Sequence, residues 1–240
     1  YTVVSVEGRS TPKQVYRSTE TTVMPGIPIV VLANEASASA SEILTGALSE
    51  NNRALFVGAR TVGKGSVQQV KMLESSQGAL KITNAYWYTP TGRIIHRRPD
   101  AEVWGVDPSD GSYVPMSPQQ VKQMLNIRRA VDALRETDER DEPAAVTPQW
   151  IEDDRKDPQL AAAVRALLGR LELGTWPQVG QSNAQELIKA SRREGLVHRR
   201  EGLRQVLAAV EEDLAKLDAG AVEPDLPSGA EVGVEPASAP

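Results

Sequence analysis

The sequence predicts an α/β fold: a strand–helix–strand unit with a mixed sheet, followed by an all-helical C-terminal region. Three observations carry this. Residues 28–34 (Pro28-Ile29-Val30-Val31-Leu32-Ala33-Asn34) form an apolar run of strand length that stops at Asn34. Small hydroxyl residues follow, and from Ile43 the apolar spacing turns helical, with Ile43, Leu44, Ala47 and Leu48 on one face. A second strand-like run, Ala54-Leu55-Phe56-Val57-Gly58, comes next, and alternation of strand and helix is the signature of α/β architecture.

Taken in order, residues 1–6 alternate as a strand and Glu7-Gly8-Arg9 turns it. Residues 10–26 are polar and carry Pro12, Pro25 and Gly26, which predicts a loop or an edge hairpin. Residues 66–73 and 79–88 both read as extended, and the second is rich in β-branched and aromatic residues. Tyr88-Thr89-Pro90-Thr91-Gly92-Arg93 is a turn, and Ile94-Ile95-His96 a short return strand. From Arg97 to Met116 regular signals fade among prolines and glycines. Ser117-Pro118-Gln119-Gln120 is a helix start, with a capping hydroxyl, proline at the first helical position and glutamine three residues on. Residues 136–149 read as a charged linker. Asp157-Pro158 opens a second helix with Leu160, Val164, Leu167, Leu168 and Leu171 expected inward, and Ser182 is expected to cap a third. Leu203, Val206, Leu207, Val210, Leu214 and Leu217 line a long amphipathic stretch. Residues 219–240, rich in proline and acid, have the composition of a disordered tail. The expected division is therefore 1–116, 117–218 and 219–240.

Composition narrows the chemistry. Of 240 residues 40% are hydrophobic and 25% charged, as in ordinary globular chains, and only 4% are aromatic, so the core is aliphatic. The net charge of -5 argues against a nucleic-acid binder, which needs a basic face. There are no cysteines and only two histidines, His96 and His198, which leaves almost no room for a histidine triad or a multi-histidine metal site. No apolar run reaches the roughly 18 residues of a membrane span.

A serine without histidine can still be a nucleophile if a lysine removes its proton, and burial favours the neutral amine that this needs. Lys64, flanked by Gly63 and Gly65, follows the second predicted strand, and close backbone approach there could seat the amine in a packed site. In an extended 64–68, Lys64 and Gln68 share a face, so Gln68 could orient the amine. Ser39 begins the predicted helix, which sets the Ala40 N–H near any oxyanion formed on an attacked carbonyl. Each feature also has a plainer reading. Ser39-x-x-Glu42 is a capping box, a glycine-flanked lysine is usually a loop residue in water, and Gln68 equally reads as a solvated strand residue. Periodicity leaves Ser37, Ser39 and Ser41 equivalent as nucleophiles.

Gly58-Ala59-Arg60-Thr61-Val62-Gly63-Lys64 also fits the first seven positions of a phosphate-binding loop. Its eighth position, which should bear the hydroxyl that holds Mg²⁺, is Gly65. No strand ending in an acid follows to serve the metal.

The same residues resemble the carboxyl-terminal processing peptidases, the tail-specific, S41-type family of Ser–Lys serine peptidases. Asn34, Ser37, Ala38, Ser39, Ala40, Ser41, Glu42 and Ile43 read as that family's serine motif. Gly58, Arg60, Thr61, Gly63, Lys64, Gly65, Ser66, Val67 and Gln68 read as its lysine motif. Tyr88-Thr89-Pro90-x-Gly92-Arg93-x-Ile95 and Trp104-Gly105-Val106-x-Pro108 continue it. The resemblance spans residues 1–116 and implies a ClpP/crotonase-like core. It implies Ser39 as nucleophile, Lys64 as general base, Gln68 as the residue that positions the lysine, and the Ala40 N–H as an oxyanion donor. It further implies endopeptidase action on polypeptides with apolar C-termini, without cofactor or metal, in a periplasmic or cell-envelope location. A homo-oligomer through the C-terminal helices is expected. Ala36 stands where relatives usually carry glycine. The family's PDZ domain and the segment donating a second oxyanion N–H are expected upstream of Tyr1. The alternative from another class is a non-catalytic peptide-binding or scaffold module, with nucleotide binding a more distant one.

Overall fold

A computed structural model describes residues 1–73, 78–99, 101–132 and 145–220 of the chain. The first hairpin pairs β1 (Thr2–Gly8) with β2 (Thr11–Arg17), so residues 10–26 supply an edge strand. Next come β3 (Val30–Ala33), α1 (Ala40–Glu50) and β4 (Leu55–Gly58), then β5 (Ser66–Met72) and β6 (Ala79–Tyr88). Four helices follow: α2 (Pro118–Asp132), α3 (Pro148–Asp154), α4 (Pro158–Leu173) and α5 (Ala184–Gly220). Residues 133–144, most of the expected linker, and residues 221–240, nearly all of the expected tail, lie outside the described residues.

The architecture is mixed α/β. One sheet has the order β2-β1-β6-β5 with antiparallel neighbours, and the other pairs β3 with β4 in parallel. A parallel pair needs a crossover, and α1 supplies it. The free edge of β4 is covered by residues 109–114: the Gly58 amide donates to the Ser112 carbonyl and the Val114 amide to that of Gly58. Tyr113 in turn pairs antiparallel with Gln181, so an extended piece of the segment between α4 and α5 joins this layer. Residues 1–190 form one compact unit; residues from 191 onward, described to 220, form another.

The core is aliphatic, as composition requires. Phe56 and Val57 are completely buried in β4; Phe56 packs with Ala33, Ile95 and Val106, and Val57 with Leu55, Ala162 and Ala166. On two helices burial departs from the expectation, on α4 and in part on α1, where Ala47 is buried and Ile43 packs against the core as expected. On α1 the buried residues are Glu42, Thr45, Gly46 and Ala47, while Leu44 is exposed. On α4 they are Gln159, Ala161, Ala162, Ala163 and Ala166, while Leu160, Leu168 and Leu171 face outward. Alanines let the α4 backbone come close to β3 and β4, which leucines at those positions would prevent. Gln159 tolerates burial because its side chain accepts from Asn34 Nδ2 (3.2 Å) and donates to the Val114 carbonyl (2.8 Å).

Helix starts follow the caps. Ser117 and Gln120 exchange side-chain-to-amide bonds at the head of α2 (2.8 and 3.3 Å), and Asp157 accepts from the Leu160 amide (2.9 Å) ahead of Pro158. The residue ahead of α5 is Asn183 rather than the expected Ser182.

Candidate active site

The chain leaves β3 through a turn built by Asn34. The Ala36 amide donates to Asn34 Oδ1 (3.0 Å), the Ser37 amide to the Asn34 carbonyl (2.8 Å), and the Asn34 amide to the Ser37 hydroxyl (3.1 Å). Ser37 is thus engaged in shaping the turn, which distinguishes it from the other two serines.

Ser39 stands directly before α1 with φ 58° and ψ -115°. A non-glycine residue in that region is strained, and such strain concentrates at functional positions. Its amide donates to Glu42 Oε2 (2.8 Å), while its carbonyl accepts from the Glu42 and Ile43 amides (3.0 and 3.1 Å). Ala40 is the first residue of α1, so its N–H is among the donors that a helix leaves without an intrahelical acceptor.

The lysine-bearing loop lies against this turn. The Val62 amide donates to the Ser37 carbonyl (3.0 Å). The Thr61 hydroxyl and the Gly63 amide donate to Glu42 Oε1 (2.5 and 2.6 Å), and the Lys64 amide donates to Glu42 Oε2 (2.8 Å). One oxygen therefore binds the amides of both Ser39 and Lys64, and those nitrogens can be no farther apart than twice 2.8 Å.

The glycines beside Lys64 do a different job from the expected one. A Cβ on Gly63 would lie 2.7 Å from Trp104 Cδ1 and 2.8 Å from Arg97 Cβ, and one on Gly65 would lie 2.6 Å from the His96 amide nitrogen. The glycines press the loop onto residues 95–97 and Trp104. Lys64, between them, points away from that packing and is exposed rather than seated in a packed site. Gln68 is exposed on β5, opposite Thr83, and among the described residues no hydrogen bond joins it to Lys64. The geometry thus brings together the backbones of Ser39, Ala40 and Lys64, with no hydrogen bond from Gln68 to Lys64 among the described residues. After Lys64 the chain enters strand β5, so the helix that a phosphate-binding loop needs is not there, which counts against the nucleotide reading.

Around this centre Arg60 is held by Asp107 through two bonds (2.5 and 3.1 Å), and its guanidinium lies 4.6 Å from the centre of the Trp104 ring. Arg97 lies at 4.5 Å from the same ring. Burial pushes the phenol of Tyr113 above its ordinary value; the Glu35 carboxylate adds to the rise and the Arg60 guanidinium opposes it.

The model of peptidase family S41 matches residues 1–108, a span that contains both motifs. Residues 1–108 are therefore similar to peptidase family S41. Among its relatives, a carboxy-terminal-processing protease of Bartonella bacilliformis is 35% identical over 156 residues, covering 62% of this chain and 33% of that protein. A carboxyl-terminal-processing protease of Synechocystis is 49% identical over 71 residues, covering 29% of this chain and 16% of its own length. A solved photosystem II D1 C-terminal processing protease is 32% identical over 49% of this chain and 28% of that one, with a TM-score of 0.42. The chain spans a third or less of the length of these relatives. The missed signal within the matched segment is Glu42, legible as a helix cap but not as the group joining the two motifs.

Proposed function

We propose that this chain is part of a serine endopeptidase that cleaves polypeptides near their C-termini through a Ser39–Lys64 dyad and an acyl-enzyme. The observation that carries the reading is the stitching of the serine turn to the lysine loop, with Ser39 in a strained conformation at a helix N-terminus.

In this reading Ser39 Oγ attacks the scissile carbonyl carbon while Lys64 Nζ takes its proton. The Ala40 N–H, at the positive end of α1, receives the oxyanion. The intermediate collapses as Lys64 returns the proton to the leaving amine, and water attacks the acyl-enzyme with the same amine as base. Lys64 must act as a neutral amine. Bound polypeptide lying over its exposed side chain would favour that form by excluding water. Gln68 is the residue assigned to orient Lys64, through a contact made in the substrate complex. The expected substrates end in apolar residues, the expected location is the cell envelope, and the complete core is expected to be ClpP/crotonase-like; the parallel β3–α1–β4 unit is consistent with that.

The test is peptide hydrolysis and labelling by a fluorophosphonate probe in the full-length protein. Both are expected in the parent and lost in Ser39→Ala and Lys64→Ala. Undiminished hydrolysis in Lys64→Ala would remove the lysine from the mechanism, and peptide binding without acylation would favour the scaffold alternative.

Self-association through α5 belongs to the same proposal. Leu203, Leu207, Val210, Leu214 and Leu217 recur at alternating steps of four and three residues and are all exposed, the spacing of a coiled-coil seam. Arg199, Arg200 and Arg204 precede Glu211, Glu212 and Asp213, so two copies would pair their charges in an antiparallel arrangement. Sedimentation of the parent as a dimer and of Leu207→Glu as a monomer is the expected result.

A further inference from the structure

Glu42 is the only residue of 34–43 that is both charged and completely buried. A buried carboxylate is costly unless its lone pairs are occupied. It has about four acceptor positions, and here four donors fill them: the amides of Ser39, Gly63 and Lys64 and the hydroxyl of Thr61. Its partners are amides and a hydroxyl rather than a basic side chain. A helix cap would explain the bond to Ser39. It would not explain the other three, which come from a loop 19 to 22 residues further along the chain.

We propose that Glu42 is the positioning residue of the dyad. Its Oε2 fixes the separation of Ser39 and Lys64 by holding both amides, and it holds Ser39 in the left-handed backbone conformation that presents the hydroxyl. Its Oε1 fixes the loop from below through Thr61 and Gly63. The role rests on the Ser–Lys reading above, and it assigns Glu42 no contact with substrate.

The geometry makes the variants distinguishable. Glu42→Gln keeps the shape but replaces one acceptor oxygen by an NH₂ group, so one pair of donors loses its acceptor. Glu42→Asp keeps the charge and both oxygens but withdraws them by one methylene. Either change shifts the serine relative to the lysine without touching a substrate-binding group. Displacements of about 1 Å can cost roughly 10²-fold in rate.

The experiment uses the full-length protein, with kcat and KM for a peptide bearing an apolar C-terminus and the rate of fluorophosphonate labelling, each referred to the folded fraction measured by circular dichroism. The expected result for both variants is a kcat lowered about 100-fold, KM within twofold of the parent, and labelling slowed in parallel. Should Glu42→Gln fail to fold, Glu42→Asp carries the test, since the charge and its desolvation stay the same. A kcat per folded molecule within threefold of the parent in the folded variants would overturn the positioning role. So would a raised KM with unchanged kcat. Lys64→Ala and Ser39→Ala run alongside. If those two retain activity the dyad itself fails and the positioning role goes with it; if they are inactive while the Glu42 variants are not, only the positioning role fails.

Discussion

Thr61 offers the sharpest test of how the centre is held together. Its side chain is 1% exposed, and its hydroxyl has two partners: it donates to Glu42 Oε1 at 2.5 Å and accepts from the Val106 amide at 2.8 Å. Thr61→Val preserves shape and removes both bonds. The first is a bond to a charged acceptor, whose loss costs about 1.5–3 kcal/mol, and the second leaves a buried amide unsatisfied, at about 1–3 kcal/mol. Together the expected destabilisation is about 3–5 kcal/mol, a large part of a domain's total stability. Thr61→Ser retains the hydroxyl and deletes one methyl group, for which about 1 kcal/mol is expected. Equilibrium urea denaturation followed by tryptophan fluorescence separates the two. With a slope near 2 kcal/mol/M, the valine variant should lose roughly 2 M in midpoint and the serine variant about 0.5 M. Equal midpoints for valine and serine variants would refute the claim that the hydroxyl, rather than the methyl, holds the lysine loop to α1.

Three further outcomes follow from other parts of the structure. Gly63→Ala combines φ +86° with a Cβ 2.7 Å from Trp104, and should lower thermal stability by about 1–3 kcal/mol while displacing Lys64, read by calorimetry and peptide hydrolysis. The folded Tyr113 phenol is raised above its unfolded value, so its contribution is complete below pH 10 and is lost as pH rises through the folded value; Tyr113→Phe should flatten the loss of stability above that pH, measured by denaturation across the alkaline range. Ala162→Leu should overpack α4 against β4 and cost about 1–3 kcal/mol, whereas Leu171→Ala, on the outer face, should stay within about 0.5 kcal/mol in the same assay.

Much of this was legible in the sequence, and what was not has physical causes. Strand runs, the Ser117 and Asp157 caps and the turn at Asn34 are local, and local chemistry decides them. The rotation of α4 is not local: its leucine stripe is the more hydrophobic face, but β3 and β4 are reached more closely through alanine. On α1 the expected face is kept at Ile43 and Ala47 and departs at Leu44, from a different cause. Glu42 and Thr45 occupy the buried face because a saturated carboxylate and a hydroxyl bonded back to the Ser41 carbonyl are acceptable in a core. A hydrophobicity pattern has no means to register that saturation, since three of the four donors lie beyond the helix. Flanking glycines predict an enclosed Lys64. Those glycines serve the packed side of the loop, and Lys64 between them is left exposed.

This division of the loop bears on how a lysine could work as a base beside a buried acid. An ion pair between Glu42 and the Lys64 amine would favour the protonated amine and oppose its use as a base. The carboxylate is instead spent on the backbone: it binds the Lys64 amide, not the amine, and among the described residues no carboxylate forms an ion pair with that side chain. The loop backbone is thereby fixed by a charge that does not neutralise the group it positions. A neutral acceptor such as a glutamine carbonyl offers one oxygen where two are required, and a basic partner for Glu42 would occupy lone pairs that the four donors need. The identity of residue 42 as glutamate thus follows from needing two oxygens and no counter-ion at the same point.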